Sequence, residues 1–357
     1  MDYRQLLDDI FYVMLFGGVT ISGIVAAFYL LFRKANAIAP EVTSPVRLRR
    51  WTAAFLLAGA FSHVWWILAV THPLSKDPIA SYAVTCCLDI ITVFPTMMGT
   101  LLSMLQDRRR PLWPFCLALL PLLLLYSLFI SLGNKGILTF IIVYALLFIV
   151  VFTLFMVFSV RHYGRWLQEN YADLEHKEIR MSLLVLAVFL IFFAMYETVE
   201  TGGRTLAYLL QADILFLTVF LVWRVETLQE LIPAAPAVQE ASSPIPDNIG
   251  PLLETKCERA QLYLQHDLSL AQLSLAIGTN HSYLSKYFAQ QGLTYNAYIN
   301  GLRIRHFMRL YREAVSGHRM ITAQNLAYES GFRSYSTFSA AFKQHTGMTV
   351  TAWMREN

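Results

Sequence analysis

Charge is scarce in this chain. Lys, Arg, Asp and Glu make up 15% of its 357 residues, against roughly 25% in ordinary soluble chains. Apolar types make up 56%. That balance excludes a disordered chain, which needs high charge and few apolar residues, and it argues against an ordinary cytosolic enzyme. Cysteine is scarce too. Cys86 and Cys87 are adjacent, Cys116 lies in an apolar run and Cys257 is remote. No CxxC or Cys/His spacing is present, so neither a disulfide framework nor a structural zinc site is expected. HExxH, GxSxG, P-loop and paired-repeat signatures are also missing. No metal, cofactor or catalytic residue is therefore assigned, and the chain is not read as an enzyme.

What the chain does have is long apolar runs. Seven occupy 11–32, 51–70, 81–105, 112–131, 137–160, 181–200 and 205–223. Each is close to the roughly 20 residues a helix needs to cross a bilayer. Helix is the expected form because lipid offers no partner to free backbone groups. The first run is read as a span rather than a signal peptide, because Asp2, Asp8 and Asp9 outweigh Arg4 before it.

Loop charge orients the spans. Arg33, Lys34, Arg47, Arg49, Arg50, Arg108, Arg109, Arg110, Arg161, Arg165, Lys177 and Arg180 fall on one side. Arg4, Lys76, Lys135 and Arg204 fall on the other. Basic loops stay cytoplasmic, which puts the N-terminus outside and the C-terminus inside. Residues 224–250 then change character. Pro233, Pro236, Pro244 and Pro246 break any helix there, so the stretch reads as a cytoplasmic linker.

The remainder, 251–357, is a soluble domain with 11 basic and 6 acidic residues, a net charge of +5, while the first 250 residues carry −1. Its pattern is helical throughout. Two stretches, Leu270–Gly292 and Ile321–Gly347, share one layout. A short helix ends at Gly278 or Gly331, where glycine permits a left-handed turn. A polar cap follows, Thr279–Asn280 or Ser334, and then a second helix. Leu284 with Phe288, and Phe338 with Phe342, pin one face of each second helix to a core. The opposite face stays small and polar, fit to enter a major groove. Between the motifs, Thr294–Glu313 reads as one helix of about 30 Å. That length approaches the ~34 Å pitch of B-DNA and suits two adjacent half-sites.

These residues carry a family resemblance. YLSKYF (Tyr283–Phe288), YINGLRI (Tyr298–Ile304), LAYESGF (Leu326–Phe332) and the Phe338–Gly347 run FSAAFKQHTG make residues 252–357 resemble the DNA-binding domain of AraC/XylS-type bacterial regulators. The resemblance implies two helix-turn-helix subdomains on a long helix, binding to double-stranded promoter DNA, and usually activation through RNA polymerase. Val350 stands where the family commonly has proline, and Ala340 where a long polar or basic residue is common. Helix phase and the family pattern together assign base contacts to Ser282, Ser285, Lys286, Ser336 and Thr337. Backbone contacts fall to Asn280, His281, Arg333, Ser334 and Lys343. Arg303 is expected to be a structural ion-pair residue on the long helix.

Inside the spans, His63, Asp89, Glu197, Glu200 and Asp213 are costly ionisable residues and mark a candidate sensor pocket. Pro95 and Pro121 sit within spans, Ala54, Ala58 and Ser62 form a small-residue stripe, and Trp51, Trp65, Trp66 and Trp113 fit interfacial anchoring. The expected fold is all-α. It comprises a seven-helix transmembrane domain over 1–223, a linker over 224–250 and a double helix-turn-helix domain over 251–357. The expected function is a regulator in the bacterial inner membrane, responding to an unknown signal, with a homodimer plausible. Release by proteolysis in the linker, and a transporter or membrane enzyme with a regulatory domain, are the competing readings.

Overall fold

The computed structural model describes residues 4–33, 35–71, 78–198, 203–231, 248–318 and 322–356. Every regular element among them is helical, apart from one isolated antiparallel bridge between Tyr171 and Ser269. The elements are α1 (Arg4–Leu7), α2 (Ile10–Phe32), α3 (Val46–Thr71), α4 (Pro78–Met104), α5 (Trp113–Leu132), α6 (Gly136–Asn170), α7 (Arg180–Thr198) and α8 (Gly203–Thr227), then α9 (Ile249–Leu253), α10 (Leu270–Ile277), α11 (His281–Gln290), α12 (Tyr295–Ser316), α13 (Ala323–Glu329), α14 (Tyr335–Thr346) and α15 (Val350–Glu356). The chain divides into two units. The first is Met1–Arg161 with Ile179–Leu231, and the second is His162–Glu178 with Ile232–Asn357.

In the first unit each of the seven apolar runs carries a helix over most of its described residues. Six helices among the described residues, α2 to α6 and α8, are long and apolar enough to cross a membrane. α7 is a helix of 19 residues over the remaining run. α6 continues to Asn170 and α8 to Thr227, past the expected ends at 160 and 223. Most of the Pro-rich linker, 232–247, lies outside the described residues.

α2 shows how one helix serves two environments. Asp9 caps it, accepting from the amides of Phe11 and Tyr12 at 3.1 and 3.4 Å. Tyr12, Phe16, Val19, Gly23, Ala27 and Leu30 line its buried face. Phe11, Met14, Ile21, Val25 and Phe32 stay exposed, as an apolar stripe facing lipid would. α3 packs between α2 and α4. Its Trp51 is a packing residue as well as a potential anchor. A Cβ on Gly99 of α4 would fall 2.3 Å from the indole, so only glycine admits the ring there.

At one end of this unit, polar residues replace apolar packing. The fully buried Glu226 carboxylate accepts from the Tyr29 hydroxyl and from the amides of Ala37 and Ile38 at 3.0 and 2.8 Å. Asn36 donates to the carbonyl of Glu226 at 3.0 Å, and Arg49 donates to Asn36 Oδ1 at 2.9 Å. Gln106 holds the chain just after α8, donating to the Gln229 carbonyl and accepting from the Leu231 amide. Arg49 and Arg110, both counted among the basic loop residues, are thus buried, Arg110 in an ion pair with Asp107 at 2.7 Å.

The second unit has two apolar cores, one per motif. Leu253, Cys257, Leu268, Leu273, Ile277, Leu284, Phe288, Tyr295 and Ile299 build the first. Ile304, Phe307, Leu326, Phe332, Phe338, Phe342, Val350 and Trp353 build the second. α12 serves both, with Leu302 in the first and Ile304 in the second. Val350 is the first residue of α15, the helical position at which proline is best tolerated.

Candidate nucleic-acid interface

Each motif is set by local chemistry. Ser269 caps α10 in a reciprocal capping box with Gln272. Gly278 ends that helix at φ +78°. Asn280 then caps α11, its Oδ1 accepting from the Ser282 amide at 2.9 Å. In the second motif Thr322 caps α13 and Ser334 caps α14, Ser334 accepting from the Thr337 amide at 3.3 Å. Gly331 makes the turn at φ +89°. It has a second requirement, since an added Cβ would lie 2.8 Å from Leu264 Cα and 3.1 Å from Arg303 Nε.

Leu284, Phe288, Phe338 and Phe342 are buried as their spacing requires. Phe307 of α12 meets Phe338 at 4.5 Å between ring centroids, and Phe342 meets Trp353 at 5.6 Å. Across α11 from the buried pair stand Ser282 and Lys286, with Ser285 at the flank. Across α14 stand Ser336, Ala340 and Lys343, all exposed. Thr337 is half-buried beside them. The hydroxyls at the start of α14 are linked, Ser334 Oγ lying 3.0 Å from Ser336 Oγ and donating to Thr337 Oγ1 at 3.1 Å.

α12 runs 22 residues, about 33 Å at 1.5 Å per residue. Arg303, at its middle, is 1% exposed. It is structural, but not through an ion pair. Its guanidinium donates to the carbonyls of Tyr263, Gln265 and His266 at 2.8, 2.6 and 3.3 Å, and lies over the Phe332 ring. Its carbonyl partners lie just before α10, where Tyr263 belongs to the first core, and Phe332 belongs to the second, so this one side chain joins the two cores. His306 is also buried on α12. Its Nδ1 lies 2.9 Å from the Tyr263 hydroxyl and 3.2 Å from Arg309. A guanidinium only donates, so Nδ1 is the acceptor and the ring is neutral. Burial, and then the Arg309 charge, hold its pKa below the ordinary value, against the weaker pull of Glu313 and Glu329.

A segment that sequence reasoning left out completes the unit. Ala172, just after α6, is 1% exposed in the first core. Asn296 of α12 donates to the carbonyls of Tyr171 and Ala172 at 3.2 and 2.6 Å, and Asn300 to Ala172 at 3.3 Å. His281 Nε2 lies 3.0 Å from Asn170 Oδ1. The Thr337 hydroxyl donates to Glu175 at 3.4 Å. Asp267 bridges Lys177 at 3.9 Å and Arg333 at 3.4 Å. Burial pushes the pKa of Lys177 down, against the attraction of Asp173 and Asp267. One signal in the sequence pointed here: the run Asp173, Glu175 and Glu178 sets three carboxylates against a domain of net charge +5.

Of the membrane candidates, His63 Nδ1 pairs with the Thr20 hydroxyl at 2.8 Å and its ring lies against Phe16. Asp89 accepts from the Trp65 indole at 3.1 Å. Asp213 is buried on α8. The Glu197 side chain and all of Glu200 lie outside the described residues. The three described carriers sit on α3, α4 and α8, and no contact joins His63, Asp89 and Asp213 to one another among the described interactions.

Comparison with known proteins agrees with this geometry. Residues 273–356 match the family described as "Helix-turn-helix domain". An uncharacterized HTH-type transcriptional regulator of Staphylococcus aureus is 34% identical over 94 residues, 26% of this chain and 12% of that protein. Similar regulators from strains MRSA252 and COL are 32% and 31% identical over the same length and the same shares of each chain. The chain thus spans about an eighth of the curated relatives it matches. No solved structure matches it. The C-terminal region is therefore a helix-turn-helix domain of the kind found in transcriptional regulators.

Proposed function

We propose that this protein is a one-component transcription regulator embedded in a bacterial inner membrane. Residues 1–223 form a seven-span domain with its N-terminus outside, 224–250 link it to the cytoplasm, and 251–357 bind promoter DNA. The observation that carries the reading is the pair of capped helices, α11 and α14. Each is pinned by a buried apolar pair and offers a small polar face, and α12 spans about one turn of B-DNA between the motifs. Ser282, Ser285, Lys286, Ser336 and Thr337 read bases; Asn280, His281, Arg333, Ser334 and Lys343 hold phosphates. A signal acting on the spans, through His63, Asp89, Asp213 and the two glutamates Glu197 and Glu200, shifts the domain between states of different DNA affinity, as any effector must. Lipid, DNA, RNA polymerase and a second copy of the chain are the partners.

The test uses the full chain in lipid nanodiscs and a fluorescein-labelled duplex from upstream of its own gene. Affinity falls steeply with salt because phosphate contacts release counterions. Lys343→Ala lowers the slope of log K against log salt by about 1. Absence of any binding at low salt, or a slope unchanged by the substitution, contradicts the assignment.

A further inference from the structure

We propose that the segment from Asn170 to Lys177 is an intramolecular competitor of DNA, docked on both recognition helices and displaced when they engage a duplex; this rests on the DNA-binding reading above. The segment touches the two helices at the positions a duplex needs. Asn170 holds His281, the first residue of α11, and Glu175 holds Thr337, in the first turn of α14. Recognition helices present their N-terminal residues to base edges, and helix N-termini are natural seats for phosphate. In the first turn of α14 a carboxylate, Glu175, accepts from the Thr337 hydroxyl. A groove wall cannot reach Thr337 while Glu175 is hydrogen-bonded to it.

Docking is specific. Tyr171 and Ala172 lie just beyond the last turn of α6, where backbone carbonyls lack helical partners. Asn296 and Asn300, one turn apart on α12, supply donors to them. The Tyr171–Ser269 bridge and the buried Ala172 methyl fix the register. Asp267 ties the segment to the second motif, meeting Lys177 of the segment at 3.9 Å and Arg333, assigned to phosphate, at 3.4 Å.

Asp173 is 3% exposed and accepts from the Glu175 amide, and its charge acts on the nearby Lys177 and Arg303. The segment is continuous in sequence with α6 and precedes α7, so a change in those helices acts directly on it. The competing state then lowers apparent DNA affinity by the fraction of molecules in which it is open.

The experiment measures affinity of the full chain in nanodiscs for the fluorescein-labelled upstream duplex, for wild type, Glu175→Gln and Asn296→Ala. Neither residue is assigned to DNA. Each substitution is expected to tighten binding about three- to tenfold, the factor one or two lost docking hydrogen bonds produce. Amide hydrogen exchange over 170–178 supplies a second readout, expected to rise when the duplex is saturating. Unchanged affinity together with unchanged exchange overturns the competitor while leaving DNA binding intact. Weaker binding by both variants overturns it too, by placing the segment within the DNA-binding surface. No binding by any of the three proteins at low salt removes the DNA reading itself, and the competitor with it.

Discussion

Gly278 and Gly331 make the same turn in the two motifs, yet they carry different constraints. Both have positive φ, which costs an L-residue about 1–2 kcal/mol. Around Gly278 the nearest atom to an added Cβ is Lys256 Nζ at 3.9 Å, an ordinary contact. Around Gly331 the Leu264 backbone stands at 2.8 Å. Gly331→Ala therefore adds an overpacking cost of about 1–3 kcal/mol to the turn penalty. Thermal unfolding of the two alanine variants, followed by hydrogen exchange in α13 and α14, is expected to show Gly331→Ala as the more damaging. Equal effects would contradict the close approach. The buried imidazole of His306 sets a pH dependence. Its folded pKa is depressed, chiefly by burial and then by Arg309, so its contribution is present above the unfolded value near 6.5 and is lost as pH falls below it. The His281 pKa is lowered by burial in the same sense. Exchange in α12, corrected for the intrinsic chemical rate, is expected to quicken between pH 7.5 and 5.5, and His306→Gln to flatten that change.

At the scale of elements, what could be read from the sequence was what is local. Asn280 and Ser334 as caps, the glycine turns, and the buried faces of α11 and α14 all follow from residues within one or two turns of each other. The described residues of the seven apolar runs are helical for the most part, as a run meant for hydrocarbon would have to be. What the sequence did not disclose depends on partners far apart along the chain. Arg303 meets carbonyls nearly 40 residues away, Asn296 meets Ala172 at 124, and Glu226 meets Tyr29 at 197. No periodicity encodes such pairs. Arg303 was expected to seek a carboxylate, but three converging carbonyls satisfy its planar fork equally well. The Glu226 cluster yields a prediction at this scale. Glu226→Gln removes the charge that three donors share, and hydrogen bonds to charged groups contribute about 1.5–3 kcal/mol. Exchange over residues 36–44 is expected to rise while that of α11 and α14 stays the same. A rise confined to α11 and α14 would contradict it.

For the whole molecule, one composition covers two chemistries. The scarcity of charge belongs to the first 250 residues, where exposed apolar faces on α2, α5 and α6 suit lipid. The net charge of +5 belongs to residues 251–357. The division is not a simple cut at the linker, because residues 162–178 fold with the helix-turn-helix motifs. On the reading proposed above, the full-length protein would act on the chromosome without release from the membrane. The most direct test is genome-wide crosslinking and immunoprecipitation of the tagged, full-length protein, beside a Lys286→Ala and Ser336→Ala double variant. The account predicts discrete enriched sites upstream of genes, each holding two half-sites about one helical turn apart, and their loss in the double variant. Enrichment indistinguishable between the two proteins, or none above background, would contradict it.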